Sequence, residues 1–215
     1  AGHSLGEYSA LVCSDALDLN DALYLLYERG KAMQAAVPIG KGSMAAVLGI
    51  TIKDISEMIQ NRSDKEGVCE IANDNADGQV IISGDKHSVE SMQNLFKEKK
   101  IKSIPLKVSA PFHCSLMKPA ADIMIEKINS ITFRNPSFPI INNVNAKAET
   151  DPNVIKKLLI DQIFSTVKWR ESITNMSENG VTNFIEIGPG KVLTGMVKRT
   201  IKNANCFSIN SITDI

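Results

Sequence analysis

The apolar positions of this chain switch repeatedly between helical and strand spacing. Residues 7–12 (EYSALV) predict a helix start with an acid in the first turn, where the helix dipole favours negative charge. Asn20 is a candidate N-cap for a long helical pattern that runs to Ala36 and stops at Pro38 and Gly40. Residues 43–50 (SMAAVLGI) then predict a strand, and residues 52–60 a helix with Ile52, Ile55 and Ile59 on one face. A short strand at 68–72, a polar turn at 73–78 (NDNADG) and a strand at 79–83 (QVIIS) follow. Residues 87–99 are amphipathic through Val89, Met92, Leu95 and Phe96, and 101–108 predict a closing strand. The resulting order, β-α-β-β-α-β, is the split βαβ or ferredoxin-like unit, which buries one sheet face under two helices.

Beyond it the alternation continues. Helices are predicted near 115–128, 154–164, 169–179 and 192–201, and strands near 139–144, 183–187 and 206–209. Alternating helices and strands imply an α/β layer architecture. The boundaries that follow are a small subdomain at 40–109, inserted into a larger core made of 1–39 and 110–215.

Composition changes this picture little. The chain has 215 residues, 43% apolar and 22% charged, and its 24 basic and 24 acidic residues cancel. Zero net charge gives no electrostatic case for nucleic acid or an anionic membrane. No apolar run is long enough to span a bilayer. Cys13, Cys69, Cys114 and Cys206 are widely separated, form no C-x-x-C pair and read as free thiols in a reducing, cytoplasmic compartment.

The candidate chemistry starts at Gly2-His3-Ser4-Leu5-Gly6, which fits G-x-S-x-G, the turn that holds a nucleophilic serine between a strand and a helix. The same residues also fit an ordinary glycine-rich turn. In the active reading both glycines are needed because side chains there would clash, and the N–H of Leu5 is one oxyanion donor. Only Ala1 precedes the motif, so the feeding strand is expected to belong to an N-terminal piece outside this sequence.

A serine nucleophile needs a base. His3 lies inside the turn and His87 in a polar helix start, which leaves His113, either the base or a structural histidine. Cys114 is a rival nucleophile beside it. Asp161 and Glu186 are possible third members, but both follow the histidine, so the serine–acid–histidine order of standard hydrolases fits badly. Arg29 sits on the apolar stripe of its helix with Leu25, Leu26 and Met33 three or four residues away. Such an arginine pairs either with an internal acid or with a ligand carboxylate. Gly188-Pro189-Gly190-Lys191 reads as a tight strand-to-helix turn or as a phosphate loop.

Four blocks in order, GHSLGEYSAL, ERGKAMQ, APFHCSLM and IGPGKVLTGM, closely resemble the malonyl-CoA:acyl carrier protein transacylases of type II fatty acid synthesis. The resemblance covers essentially the whole chain. It implies an α/β-hydrolase-like large subdomain, a ferredoxin-like small one and an active site between them. It implies that Ser4 carries the malonyl ester, that His113 is general base and then acid, and that Arg29, with Met33 beside it, binds the malonyl carboxylate. Gln162 matches the residue whose backbone carbonyl holds the histidine, and Phe112 fits the malonyl-type pattern of related polyketide acyltransferases. The implied substrates are malonyl-CoA and the phosphopantetheine thiol of acyl carrier protein, with no metal or redox cofactor and a monomeric enzyme. Lys191, Lys198 and Arg199 are either a greeting for an acidic carrier or solvated surface. The family's N-terminal strand, and the loop that gives a second oxyanion donor, have no counterpart in this sequence, so this chain by itself is expected to be weakly active or inactive. A serine hydrolase or thioesterase, or a silent acyltransferase-like fragment, are the alternative readings.

Overall fold

The computed structural model describes residues 1–63 and 65–214. Helix α1 (Leu5–Cys13) leads into α2 (Leu19–Ala36), which starts one residue before Asn20. The residue at its N-cap is Asp18, whose carboxylate pairs with Arg134 at 3.0 Å instead of capping the helix. Strand β1 (Gly42–Leu48), α3 (Ile52–Gln60), β2 (Cys69–Ala76), β3 (Gln79–Asp85), α4 (Lys86–Glu98) and β4 (Lys102–Pro105) follow in the predicted order. They form one antiparallel sheet in the order β2-β3-β1-β4.

Period-2 alternation buries both faces of this sheet. Ala45, Val47, Val80 and Ile82 pack under α3 and α4 with Ile55, Val89, Met92 and Phe96. Met44, Ala46, Ala72 and Ile81 face the other way, toward Leu106 and Phe112. Strand β4 is shorter than predicted and ends at Pro105, tolerable because β4 is an edge.

The largest departure from the sequence reading is at residues 73–78. They are not a polar turn: β2 continues through Ala76, and only residues 77 and 78 turn. Asn73, Asp74 and Asn75 are buried because the rest of the chain supplies partners. Two register shifts, between Ile71 and Asn73 and between Asp74 and Ala76, re-aim these side chains as β-bulges do. The outer edge of β2 is closed by Val167, which accepts the N–H of Asp74 at 3.0 Å and donates to Ala72 at 2.8 Å.

The remaining chain adds α5 (Lys118–Ser130), the two-residue pair β5 (Ile140–Ile141) and β6 (Ala148–Glu149), α6 (Pro152–Gln162) and α7 (Trp169–Glu178). Strand β5 stops far short of the predicted 139–144. The side chain of Asn142 accepts the backbone N–H groups of Val144 and Asn145, and the resulting Asx turn ends the strand. Strands β7 (Asn183–Ile187) and β8 (Asn205–Ile209) are parallel and joined by α8 (Val192–Thr200). Helices α1, α2, α5 and α6 enclose the main core around Tyr8, Leu11, Leu25, Met124, Ile128 and Leu159. Trp169, Ile173, Met196 and Val197 form a second core under the β7–β8 pair. None of the described helices is long and apolar enough to cross a membrane.

One ion pair ties the antiparallel sheet to α7. Arg170 Nη2 lies 2.8 Å from Asp74 Oδ2, and Nε lies 3.0 Å from both carboxylate oxygens. Burial still holds the Asp74 carboxyl above its ordinary range, so its partner only partly offsets the lost hydration. The two ends are unequal: Asp74 is 1% exposed and Arg170 28%. Arg170→Ala, which strands a buried carboxylate, is expected to cost about 3 kcal/mol of stability. Asp74→Asn costs less, because the arginine left behind reaches water. Denaturant unfolding of the two variants measures the difference, and equal losses would contradict it.

Candidate active site

The backbone of Ser4 lies at φ 49° and ψ −103°, a conformation few non-glycine residues adopt. Strain of this kind costs on the order of 1–3 kcal/mol and persists only where surrounding groups enforce it. Gly2 is one enforcing feature: a Cβ there would stand 1.9 Å from the carbonyl oxygen of Gly6. Gly6 is different. A Cβ at that position meets nothing within 4 Å, so the expectation that packing demands both glycines holds only for the first. Asn143 is the second feature. Its Oδ1 accepts the Ser4 N–H at 2.7 Å, and its Nδ2 donates to the Gly2 carbonyl at 2.8 Å. One side chain thus braces both sides of the turn.

His113 also has a positive φ, 58°, and is buried. Its Nδ1 lies 2.9 Å from the carbonyl oxygen of Gln162, and its Nε2 lies 2.8 Å from Ser4 Oγ. A carbonyl only accepts, so Nδ1 carries the proton and Nε2 presents its lone pair to the serine hydroxyl. Burial, and next the charge of Arg29, push the imidazole down to about 3. The ring is therefore neutral at ordinary pH, as a general base must be.

Arg29 is buried on α2 and donates from Nη2 to Ser4 Oγ at 2.9 Å and to Gln162 Oε1 at 3.0 Å. Among the described residues no carboxylate forms an ion pair with it, and its buried Nε has no hydrogen-bond partner. The internal-acid reading of Arg29 therefore fails. Its guanidinium sits 5.9 Å from the centre of the Tyr8 ring. The closest link to an acid runs through Gln162, whose Nε2 donates to Glu7 Oε2 at 2.9 Å and to the Ser4 carbonyl at 3.1 Å. Burial pushes Glu7 up to about 7, against the bonds from Gln162 and Asn143. The sequence reading used Glu7 only as a helix-start acid and missed Asn143 altogether. The position of Glu7 three residues after the serine, on the same side of α1, was the available signal; for Asn143, in an irregular stretch, there was none.

Other candidates separate cleanly. The ring of His3 turns away from Ser4, bonding Asn75 Oδ1 at 2.8 Å and meeting the edge of Trp169. Cys114 donates to the Pro111 carbonyl, and burial pushes its thiol up to about 11, which makes it a poor nucleophile. Asp161 makes no bond to His113, whose Nδ1 is held by the neighbouring Gln162 carbonyl. Glu186 accepts the N–H groups of Leu193 and Thr194 at 3.0 and 2.7 Å. A carboxylate thus already occupies the start of α8, which removes the phosphate-loop reading of 188–191. Leu5 is the first residue of α1, where helix geometry leaves its N–H without an intrahelical acceptor. Met33 lies one turn from Arg29 in the main core, 3% exposed, so it packs the interior and does not line an opening. Phe112 is half-buried between the main core and the sheet.

A cavity of about 460 Å³ opens at His113, bordered by Ile71, Val144, Phe164, Thr166 and Lys168. It lies between β2 and the segment after α6, so a molecule in it reaches the histidine from the sheet side.

The imidazole titrates near 3 in the folded chain and near 6.5 when unfolded. Its neutral form therefore adds stability above about pH 6.5, and that contribution is lost as pH falls through 3. Ring ¹⁵N resonances of His113 are expected to report the neutral Nδ1–H tautomer from about pH 8 to about pH 5. A protonation step near 6.5 would refute this account of the base.

A family profile described as an acyl transferase domain matches residues 1–213. The malonyl CoA-acyl carrier protein transacylase of Escherichia coli K12 is 43% identical over 211 residues, which cover 98% of this chain and 68% of that protein. The transacylase of Bacillus subtilis 168 is also 43% identical, over 98% of this chain and 67% of its own length. Among solved structures, an acyl carrier protein S-malonyltransferase from Vibrio cholerae superposes with a TM-score of 0.95 at 44% identity, covering 99% of this chain and 69% of that one. A type II PKS acyl-carrier protein in complex with its malonyl-transacylase gives 0.95 at 39% identity, over 99% of this chain and 69% of that one. At this identity and coverage the chain belongs to the acyl transferase domain family, alongside the malonyl CoA-acyl carrier protein transacylases.

Proposed function

We propose that this chain moves a malonyl group from CoA to the phosphopantetheine thiol of an acyl carrier protein, through a malonyl ester on Ser4. The observation that carries the reading is the pair of contacts on one oxygen: His113 Nε2 at 2.8 Å and the Arg29 guanidinium at 2.9 Å from Ser4 Oγ. The first makes the hydroxyl a nucleophile. The second supports Arg29 as the group that receives the far carboxylate of a short diacid.

In the forward half-reaction His113 Nε2 takes the hydroxyl proton as Oγ bonds to the thioester carbon. Charge on the carbonyl oxygen develops near the start of α1, where the Leu5 N–H is the available donor. Collapse breaks the carbon–sulfur bond, and the leaving thiolate receives the proton from His113. The second half repeats these steps with the carrier's thiol as nucleophile. Exchange between thioester and oxygen ester changes no oxidation state, so the reading calls for no redox cofactor, and no metal takes part in it. The carbonyl of Gln162 takes the part that an acid plays in a standard triad: it fixes the tautomer of His113 without adding negative charge.

The division into a hydrolase-like core (1–39 with 110–215) and a ferredoxin-like subdomain (40–109) belongs to the same proposal. The strand order β2-β3-β1-β4 and the position of the cavity at the seam support it. A monomeric enzyme belongs to the same proposal. The four free cysteines support a reducing, cytoplasmic setting.

Two measurements test the reading. Brief exposure to malonyl-CoA is expected to add one malonyl mass to a protein that carries this chain together with the family's N-terminal strand and loop, and none to its Ser4→Ala variant; no gain in that folded protein would count against the reading. Arg29→Ala is expected to lower the ratio of malonyl to acetyl acylation by about 10- to 100-fold, the range of a hydrogen bond to a charged group. An unchanged ratio would remove Arg29 from the recognition of the carboxylate.

A further inference from the structure

We infer that Glu7 is a positioning residue for acyl selectivity: its carboxylate decides which way the Gln162 carboxamide faces, and so where the Arg29 guanidinium points. The inference rests on the reading that Arg29 receives the acyl carboxylate.

A carboxamide has a donor end and an acceptor end, and the site accepts only one orientation. Arg29 Nη2, at 3.0 Å, can only donate, so Gln162 must offer it Oε1. Glu7 Oε2 and the Ser4 carbonyl, at 2.9 and 3.1 Å, are both acceptors, so they must receive Nε2. In the flipped orientation donor would face donor at Arg29, and acceptor would face acceptor at the other two. Glu7 is 2% exposed, Gln162 1% and Arg29 7%, so water cannot substitute for a missing partner.

Glu7 itself is held by the backbone N–H of Asn143 at 3.0 Å, and this bond ends on the same Oε2 as the bond from Gln162. One oxygen of Glu7 therefore carries both of these bonds. A glutamine at position 7 supplies an equivalent oxygen in the same place, whereas a methionine of similar length supplies none.

The test measures malonyl and acetyl acylation for wild type, Glu7→Gln, Glu7→Met and Arg29→Ala, in a protein that carries this chain together with the family's N-terminal strand and loop, with thermal unfolding of each. Glu7→Gln is expected to keep the wild-type malonyl-to-acetyl ratio. Glu7→Met is expected to lose about tenfold in that ratio, through malonyl more than acetyl, as befits one buried hydrogen bond and the cation it aims. A merely structural role would lower both substrates together and leave the ratio untouched, which overturns the inference. Loss of the ratio in Glu7→Gln would also overturn it, since charge and not the acceptor would then be what matters; this arm decides alone if Glu7→Met does not fold. Arg29→Ala separates the two levels. If it loses the ratio while Glu7→Met keeps it, only the role of Glu7 falls; if it keeps the ratio, the reading of Arg29 falls first.

Discussion

A serine at φ 49° cannot hold itself there, and most of the site consists of groups that hold it. Gly2 makes room for the start of α1, and Asn143 accepts the Ser4 N–H on one side of the turn and donates to the Gly2 carbonyl on the other. Gln162 takes the Ser4 carbonyl, and its own main-chain oxygen fixes the histidine that faces the serine. Strain at one residue is thereby shared among α1, α6 and the loop after β5. The Ser4 hydroxyl is displayed because the groups around it hold its backbone in place.

Burial acts on the electrostatics in a single direction. It pushes His113 down and Glu7 up, in each case toward the neutral form. Arg29 is also made less basic by its surroundings, yet a guanidinium does not give up its proton in a protein. The interior is thus left with one committed cation beside Ser4 Oγ. An incoming carboxylate would meet it with little competition from internal acids.

Much of this was legible in the sequence. The helix and strand order emerged from apolar period alone, because nearly every alternate position of β1 and β3 is apolar and buried. Ser4, His113 and Arg29 stood out as polar residues in turns or on an apolar stripe. What stayed hidden were contacts between polar residues far apart in the chain. Residues 73–75 looked like a turn because Asn and Asp usually seek local backbone partners. Here their partners are His3, Arg170 and Val167, which no local pattern reveals. Asn143 was invisible for the same reason, and Met33 was drawn toward the site only by its spacing from Arg29.

Strand β2 meets both Ser4 and His113 at one remove. Asn75, near its end, holds the ring of His3, the residue before the nucleophile. Glu70, near its start, accepts the N–H of Ser115 at 2.9 Å and its hydroxyl at 2.5 Å, two residues beyond His113. The two bulges between Glu70 and Asn75 leave one covalent strand linking the two loops. Sliding it would carry serine and histidine together, while bending it would alter their separation. Ser4 and His113 thus share a neighbour in a strand that contributes no side chain to either.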